Sequence, residues 1–270
     1  MLLLATIAGL LGLAAGSFLG SCAYRIPRGM SLICRHSFCP SCGSVLKWYE
    51  LIPILGPALL LWRCRSCGAK VPLRYSVIEL TTGACFFFLS TTTTWDAGAV
   101  LSLILACTLI PLIWTDFEFF LIPNRILIIG SLASLLAAGL LVPAELGDRL
   151  LASGCVLVGL HLIGKAVSIF VNRPALGLGD VKLAGFIAFH MGAALFLAAL
   201  WTAAAGALVY VAAKRFQRPD SMPLVDTGIL HLAGQDAIPF GSFLSGTSLA
   251  LMLWKEATSS LLDQWLTLIP

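Results

Sequence analysis

Apolar residues run through this sequence in long blocks separated by short polar segments. No charge occurs in residues 1–24, and roughly 20 apolar residues suffice for a helix to cross a hydrocarbon core. The first basic residues, Arg25 and Arg28, follow that run instead of preceding it. The pattern therefore predicts an uncleaved anchor and not a removable signal peptide. Further blocks span 76–95, 97–114, 125–142, 150–170 and 238–254, and 183–213 is uncharged throughout. That last block is too long for one comfortable span, and His190, Met191, Gly192 and Ala193 interrupt it. Read as a short helix and a longer one turning back near Gly192, it brings the total to eight crossings, or seven if it is a single tilted helix.

Composition agrees with the blocks. Hydrophobic residues make up 59% of the 270 and charged residues 11%, with a mean hydropathy of +0.96. Soluble domains carry about 25% charged residues, which excludes a water-facing globule. A net charge of +4 on so apolar a chain also excludes a nucleic-acid-binding module or a disordered tail. The expected fold is an all-α polytopic membrane protein with the bilayer as its main partner.

Basic residues set the orientation. Residues 25–74 hold Arg25, Arg28, Arg35, Lys47, Arg63, Arg65, Lys70 and Arg74 against Glu50 alone. Alternate loops add Arg125, Arg173, Lys182, Lys214, Arg215 and Arg218 on the same side. The positive-inside rule makes that side cytoplasmic and puts both termini outside the cytoplasm.

Nine cysteines are present, five of them between Cys34 and Cys67. Cys22, Cys85, Cys107 and Cys155 lie in apolar stretches and read as small helix-contact residues. Cys39-Pro-Ser-Cys42-Gly43 and Cys64-Arg-Ser-Cys67-Gly68 repeat one motif. Each pair can aim two thiolates at one ion, and the glycine permits the tight turn. Cys39, Cys42, Cys64 and Cys67 thus predict a four-thiolate zinc site in a loop too short and polar to build its own core. Cys34 and His36 are spare ligands, and redox pairs are the alternative.

Two aspartates fall beside helix ends on the predicted cytoplasmic side. Asp116 ends an apolar block just before Ile122-Pro123-Asn124, and Asp180 follows Gly177-Leu178-Gly179 and precedes Lys182. Two carboxylates brought together in a partly dry site share a proton, one acting as base on water and the other as acid. Glycines before Asp180 leave room for backbone or an extended substrate. Pro123 is expected to free a carbonyl in the turn before it, tolerable only near water or a cavity. Taken singly, Asp180 could cap a helix starting at Val181, Asp116 could be solvated, and Glu118 is a rival for the first catalytic position.

At these residues the chain resembles the type IV prepilin peptidase family. The resemblance runs over nearly the whole length, through Gly16-Ser-Phe-Leu19, Tyr24-Arg25-Ile26-Pro27, the paired cysteine motifs and Arg74-Tyr-Ser-Val-Ile-Glu79-Leu-Thr-Thr-Gly83. It continues through Asp116–Asn124 and Gly177–Lys182 to Ile238-Pro-Phe-Gly241. It departs at Gly20-Ser21, Ser76, Glu118 and the long segment 215–237, changes that mostly touch the methyltransferase side.

The resemblance implies an intramembrane aspartyl protease of the bacterial inner membrane, working at the cytoplasmic face through Asp116 and Asp180. Gly177, Gly179, Lys182, Pro123 and Asn124 would support the site or the substrate. It would cut prepilins or pseudopilins after a glycine, then methylate the new amine from S-adenosylmethionine, with the cysteine loop and Glu79 on the methyltransferase side. The domains expected are a first helix at 1–24, a zinc-binding loop at 25–75 and a peptidase core at 76–270. Glu50, Glu118, Asp220, Asp226 and Asp236 are the acidic candidates for docking a basic leader. The alternatives are another Gly-x-Gly-Asp intramembrane protease, or a non-enzymatic zinc-ribbon transporter whose span centres offer only His161 and His190.

Overall fold

The computed structural model describes residues 2–32, 36–92, 95–172, 176–216 and 238–268, apart from the side chains of 215, 216 and 259–268. Cys34, Arg35, Arg173, Arg218, Asp220, Asp226 and Asp236 lie outside the described residues. The described chain is helical: α1 (Leu2–Arg25), α2 (Leu55–Leu59), α3 (Arg74–Thr92), α4 (Ala97–Phe119), α5 (Asn124–Leu141), α6 (Leu146–Val171), α7 (Leu178–Phe216) and α8 (Phe240–Leu268). Its only β pairing among these residues is two isolated bridges, Phe38 with Val45 and Arg63 with Lys70.

Five helical segments among the described residues are long and apolar enough to cross a bilayer: Leu2–Arg25, Ala97–Phe119, Asn124–Leu141, Pro143–Val171 and Leu178–Lys214. The eight expected crossings are thus matched by five. Helix α3 opens on Arg74 and carries buried Glu79, while α8 carries Lys255, Glu256 and a run of serines and threonines. Both pack into the bundle with less apolar sequence than a lipid-facing helix requires.

Helix α1 meets α3 through a stripe of small residues, Ala5, Ala8, Gly12, Gly16 and Gly20, all buried. A Cβ at Gly12 would stand 2.9 Å from the Gly83 Cα, and one at Gly16 would stand 2.7 Å from the Glu79 Cα. Only glycine lets the two backbones touch in this way, the packing that replaces hydrophobic attraction in lipid. Leu105, Leu109 and Leu112 of α4, Leu183 and Ile187 of α7 and Leu244 of α8 form one core with Ile78 and Leu89 of α3. Helix α6 has Gly164 as its sole buried residue and presents Leu151, Val158, Leu162 and Ile163 outward.

The expected break in the long apolar block is present at Gly192, whose φ of 74° and ψ of 169° interrupt α7. Arg149 of α6 donates to the carbonyls of Phe189 (3.3 Å) and His190 (3.4 Å) just before the break. His190 shares a 2.8 Å hydrogen bond with Ser134 of α5. The kink is thus satisfied from within the protein, as hydrocarbon surroundings demand, and His190 is a structural tie. The C-terminal end of α1, the start of α3, the end of α4 and the starts of α5, α7 and α8 gather at the opposite end of the bundle.

Candidate active site and metal centre

Asp116 sits in the last turn of α4 with 6% of its surface exposed. That helix ends at Phe120, a left-handed residue (φ 50°, ψ 37°) whose N–H bonds the Asp116 carbonyl at 2.8 Å. For a residue with a Cβ this conformation costs roughly 1–2 kcal/mol. It reverses the chain so that Ile122-Pro123 leads into α5. Pro123 caps the helix from outside, at φ −66°, and its own carbonyl accepts from Ile126 at 3.1 Å. The expectation that Pro123 frees a carbonyl is therefore corrected: it precedes the first helical turn and removes no hydrogen bond from within a helix.

Helix α7 starts at Leu178, with the Val181 N–H bonding the Gly177 carbonyl at 3.2 Å. Asp180 is thus inside the first turn and is not the cap of a helix beginning at Val181. Its carboxyl folds back to the Gly177 N–H, and it feels the charge of Asp116 directly. Helix α8 arrives from a third direction. The Ser242 N–H donates to Asp116 Oδ2 at 2.6 Å and the Ser242 hydroxyl lies 3.0 Å from the same oxygen. Asp116 therefore caps the N-terminus of α8 from another helix, where the backbone dipole favours negative charge.

Ile122 is wedged between two glycines of this site. A Cβ at Gly241 would lie 2.8 Å from Ile122 Cδ1 and 3.1 Å from Asp116 Oδ2, and one at Gly179 would lie 3.2 Å from Ile122 Cβ. A Cβ at Gly177 would lie 3.0 Å from Asp180 Oδ2. The glycines let three helix ends converge on two carboxyl groups. Lys182 and Asn124, both exposed, meet each other through a 3.1 Å hydrogen bond that ties α7 to α5. Glu118 is ion-paired with Arg74, which separates it in role from the buried Asp116.

The four cysteines converge as their spacing predicts. Their Sγ atoms all lie within 4.8 Å of one another, with Cys39–Cys67 and Cys42–Cys64 each at 3.9 Å. Tetrahedral zinc with 2.3 Å bonds sets its sulfurs about 3.8 Å apart, so the set fits that ion. The two motifs fold alike: Gly43 and Gly68 have φ of 72° and 71°, and each N–H bonds the carbonyl of its first cysteine at 2.8 Å. Backbone N–H groups of Cys67 and Ser66 hold the Cys64 thiol down to about 6, and the Ser44 hydroxyl and N–H lower Cys42. Both effects favour the ligating thiolate. His36 is not part of the cluster among the described residues.

Glu50 is buried, accepts from the Lys47 N–H at 2.6 Å and pairs with Arg65 at 3.2 Å. It clamps the exit of the first hairpin to the second. Glu50 and Glu118 are thus engaged internally, which removes both as free docking groups for a basic leader.

The comparisons with known proteins meet the same residues. The model described as the bacterial peptidase A24 N-terminal domain matches residues 10–93, and that of the type IV leader peptidase family matches 103–211. A prepilin leader peptidase/N-methyltransferase of Myxococcus xanthus is 32% identical over 91% of this chain and 73% of its own. One of Bacillus subtilis is 31% identical over 92% and 94%. The chain belongs to the type IV prepilin peptidase family. A Pseudomonas aeruginosa relative of the same designation is 26% identical over 92% of this chain. No solved structure matches. Membership makes this protein a leader peptidase, an enzyme, and displaces the transporter alternative.

Sequence reasoning missed two groups of this peptidase. Ser242 directly follows Ile238-Pro-Phe-Gly241, and its place in the first turn of a helix is the signal that marks it as a donor. Arg74 and Glu118 lie on different helices, and no local pattern announces their pairing.

Proposed function

We propose that this protein is an intramembrane aspartyl endopeptidase that removes the leader from type IV prepilins or pseudopilins after a glycine. It works at the cytoplasmic face of the bacterial inner membrane and then N-methylates the new terminal residue from S-adenosylmethionine. The bundle crosses the membrane eight times, with residues 25–75 as the methyltransferase-associated zinc loop and 76–270 as the peptidase core. The observation that carries this reading is that Asp180, in the first turn of α7, lies within electrostatic reach of buried Asp116, which caps the N-terminus of α8.

The geometry favours one division of labour between the two carboxyls. The Ser242 N–H donates to Asp116 Oδ2 at 2.6 Å, while the one hydroxyl proton of Ser242 is divided between the Ile113 carbonyl at 2.8 Å and the same carboxylate oxygen at 3.0 Å; hydrogen bonds to a charged oxygen favour the charged form. Asp116 is then the ionised base and Asp180 keeps the shared proton. Asp116 takes a proton from water as the water oxygen attacks the scissile carbonyl, and Asp180 protonates the carbonyl oxygen. Collapse of the tetrahedral intermediate sends the Asp116 proton to the leaving amine and returns a proton to Asp180. Gly177 and Gly179 admit an extended substrate backbone, and Pro123, Asn124 and Lys182 hold the rim. Cys39, Cys42, Cys64 and Cys67 would hold zinc, which would close the loop that supports methylation, and Glu79 serves that second half.

Ser242→Ala tests the allocation. The variant keeps the backbone N–H and loses only the hydroxyl shared with the Ile113 carbonyl, so the acidic limb of the pH–rate profile should move up by at most about one unit, below the roughly 1.5–3 kcal/mol of an undivided donor to a charged group. Charged groups near the pair, Arg74 with Glu118 and Lys182, stay unchanged. Ser242→Thr should restore the wild-type profile, whereas a uniform rate loss with an unmoved limb would assign Ser242 a packing role only. The function itself is tested by mass spectrometry of a co-expressed prepilin, which reads leader loss and a methyl-sized increment separately. An intact leader on a verified substrate rejects the peptidase reading for that substrate class.

A further inference from the structure

Asp116 lies in the last turn of α4, and helix ends are where the internal hydrogen bonds run out and the chain frays. This turn also runs into Phe120, whose left-handed backbone is strained and persists only where its surroundings hold it. Ser242 holds the turn from α8, with its N–H 2.6 Å from Asp116 Oδ2. A second hold comes from the front of the chain, on the two residues before Phe120.

Two guanidinium groups supply it. Arg74, the first residue of α3, is ion-paired with Glu118 and lies 3.5 Å from the Tyr75 hydroxyl. Its charge stands 5.3 Å from the centre of the Tyr24 ring and 5.0 Å from that of Tyr75. Arg28, just beyond α1, donates to the Tyr24 carbonyl at 2.9 Å. Its charge lies 3.9 Å from the centre of the Tyr24 ring and 4.8 Å from that of Phe119. The Tyr24 ring is thus shared by two cations, each of which reaches a different residue of the α4 turn.

Stability alone would not select this arrangement. Two like charges share one ring, and the Arg74 Nε is buried without a hydrogen-bond partner among the described residues. Local costs of this kind collect at functional sites. The C-terminal end of α4 offsets them in part, because the helix dipole there favours cations.

We infer that Arg28 and Arg74 are positioning residues for Asp116. They act through Phe119 and Glu118 and not on the reacting atoms, fixing the last turn of α4 so that the Asp116 carboxyl stays in register with Ser242 and Asp180. The inference rests on the peptidase reading above. It gives residues before Asp96 a part in cleavage that the carboxyl pair alone does not reveal. A catalytic group misplaced by about 1 Å can lose on the order of 100-fold in rate, so a released turn should lower kcat and leave KM in place.

Prepilin cleavage by the detergent-solubilised, zinc-loaded enzyme, resolved into kcat and KM, tests this. Arg74→Glu sets two like charges against each other and should lower kcat about 30-fold with KM within about twofold. Adding Glu118→Arg re-forms the pair in reverse and should bring kcat back to within about threefold of wild type. Glu118→Gln alone should cost much less, because its amide oxygen still accepts from Arg74. Arg28 is exposed, so Arg28→Leu probes the second hold with the bundle undisturbed, and kcat should fall about fivefold. Arg28→Lys, which keeps a cation over the rings, should recover most of that loss. Should Arg74→Glu fail to retain zinc, the Arg28 pair of variants decides alone. Wild-type kcat in Arg74→Glu or in Arg28→Leu removes that arginine from the role, and a reversed pair no faster than Arg74→Glu overturns the inference. A rise in KM accompanied by a lowered melting temperature would instead mark a packing role. Failure of the wild-type enzyme to cut a verified prepilin rejects the peptidase reading itself.

Discussion

Asp116→Asn and Asp180→Asn, made separately, should each lower leader cleavage by roughly 10²–10⁴-fold, the range that one general acid or base supplies. Each asparagine keeps the size of the side chain it replaces, and the Ser242 N–H can still reach an amide oxygen at position 116. Membrane insertion and the cysteine centre should therefore survive, because the four ligands lie in a separate loop. Mass spectrometry of the prepilin measures the loss, and metal analysis measures the survival. Near-wild-type cleavage in either variant removes that residue from the mechanism. Glu118→Gln is the internal contrast: it breaks an ion pair with Arg74 and should leave cleavage far closer to wild type.

Loss of the metal should have the next largest effect, on a different readout. A structural zinc contributes apparent binding free energies of about 10–16 kcal/mol to small domains, and the hairpin loop has little else to hold it. Its regular structure amounts to two bridges, a short 3-10 turn at Trp48–Leu51 and the five-residue α2. Cys39→Ser combined with Cys64→Ser removes one ligand from each hairpin. Zinc should fall below stoichiometric in protein purified without a polyhistidine tag, and residues 37–73 should become sensitive to limited proteolysis. Methylation should fall much further than cleavage. Equal loss of both would show that the loop also supports the peptidase half.

Some of this architecture was legible in the chain and some was not, for physical reasons. A cysteine turn is local: two residues between thiolates and a following glycine dictate one conformation, and Gly43 and Gly68 take it up with nearly equal φ. The break at Gly192 was legible because a span has a fixed length that residues 183–213 exceed. The number of crossings was less so, since hydropathy cannot separate a lipid-facing helix from one like α3 that packs through glycines and a buried glutamate. Asp116 and Asp180 stood out as charges beside apolar blocks, but their meeting depends on three helix ends and on Ile122 fitting between Gly179 and Gly241. Ser242 was invisible because its importance comes from which carboxylate lies in front of it.

Asp116 and Asp180, proposed as the peptidase pair, together with Ser242 and the Ile122 wedge, all come from residues beyond Asp96, whereas the cysteine hairpins and Glu79 come from residues before it. The two family matches, 10–93 and 103–211, divide at the same place. The proposed cutting residues and the proposed methylating ones thus occupy separate stretches of chain, yet Ile78 and Leu89 of α3 share one core with α4, α7 and α8. A shorter chain that kept only the cutting residues would have to cover anew the apolar surface that α3 now buries.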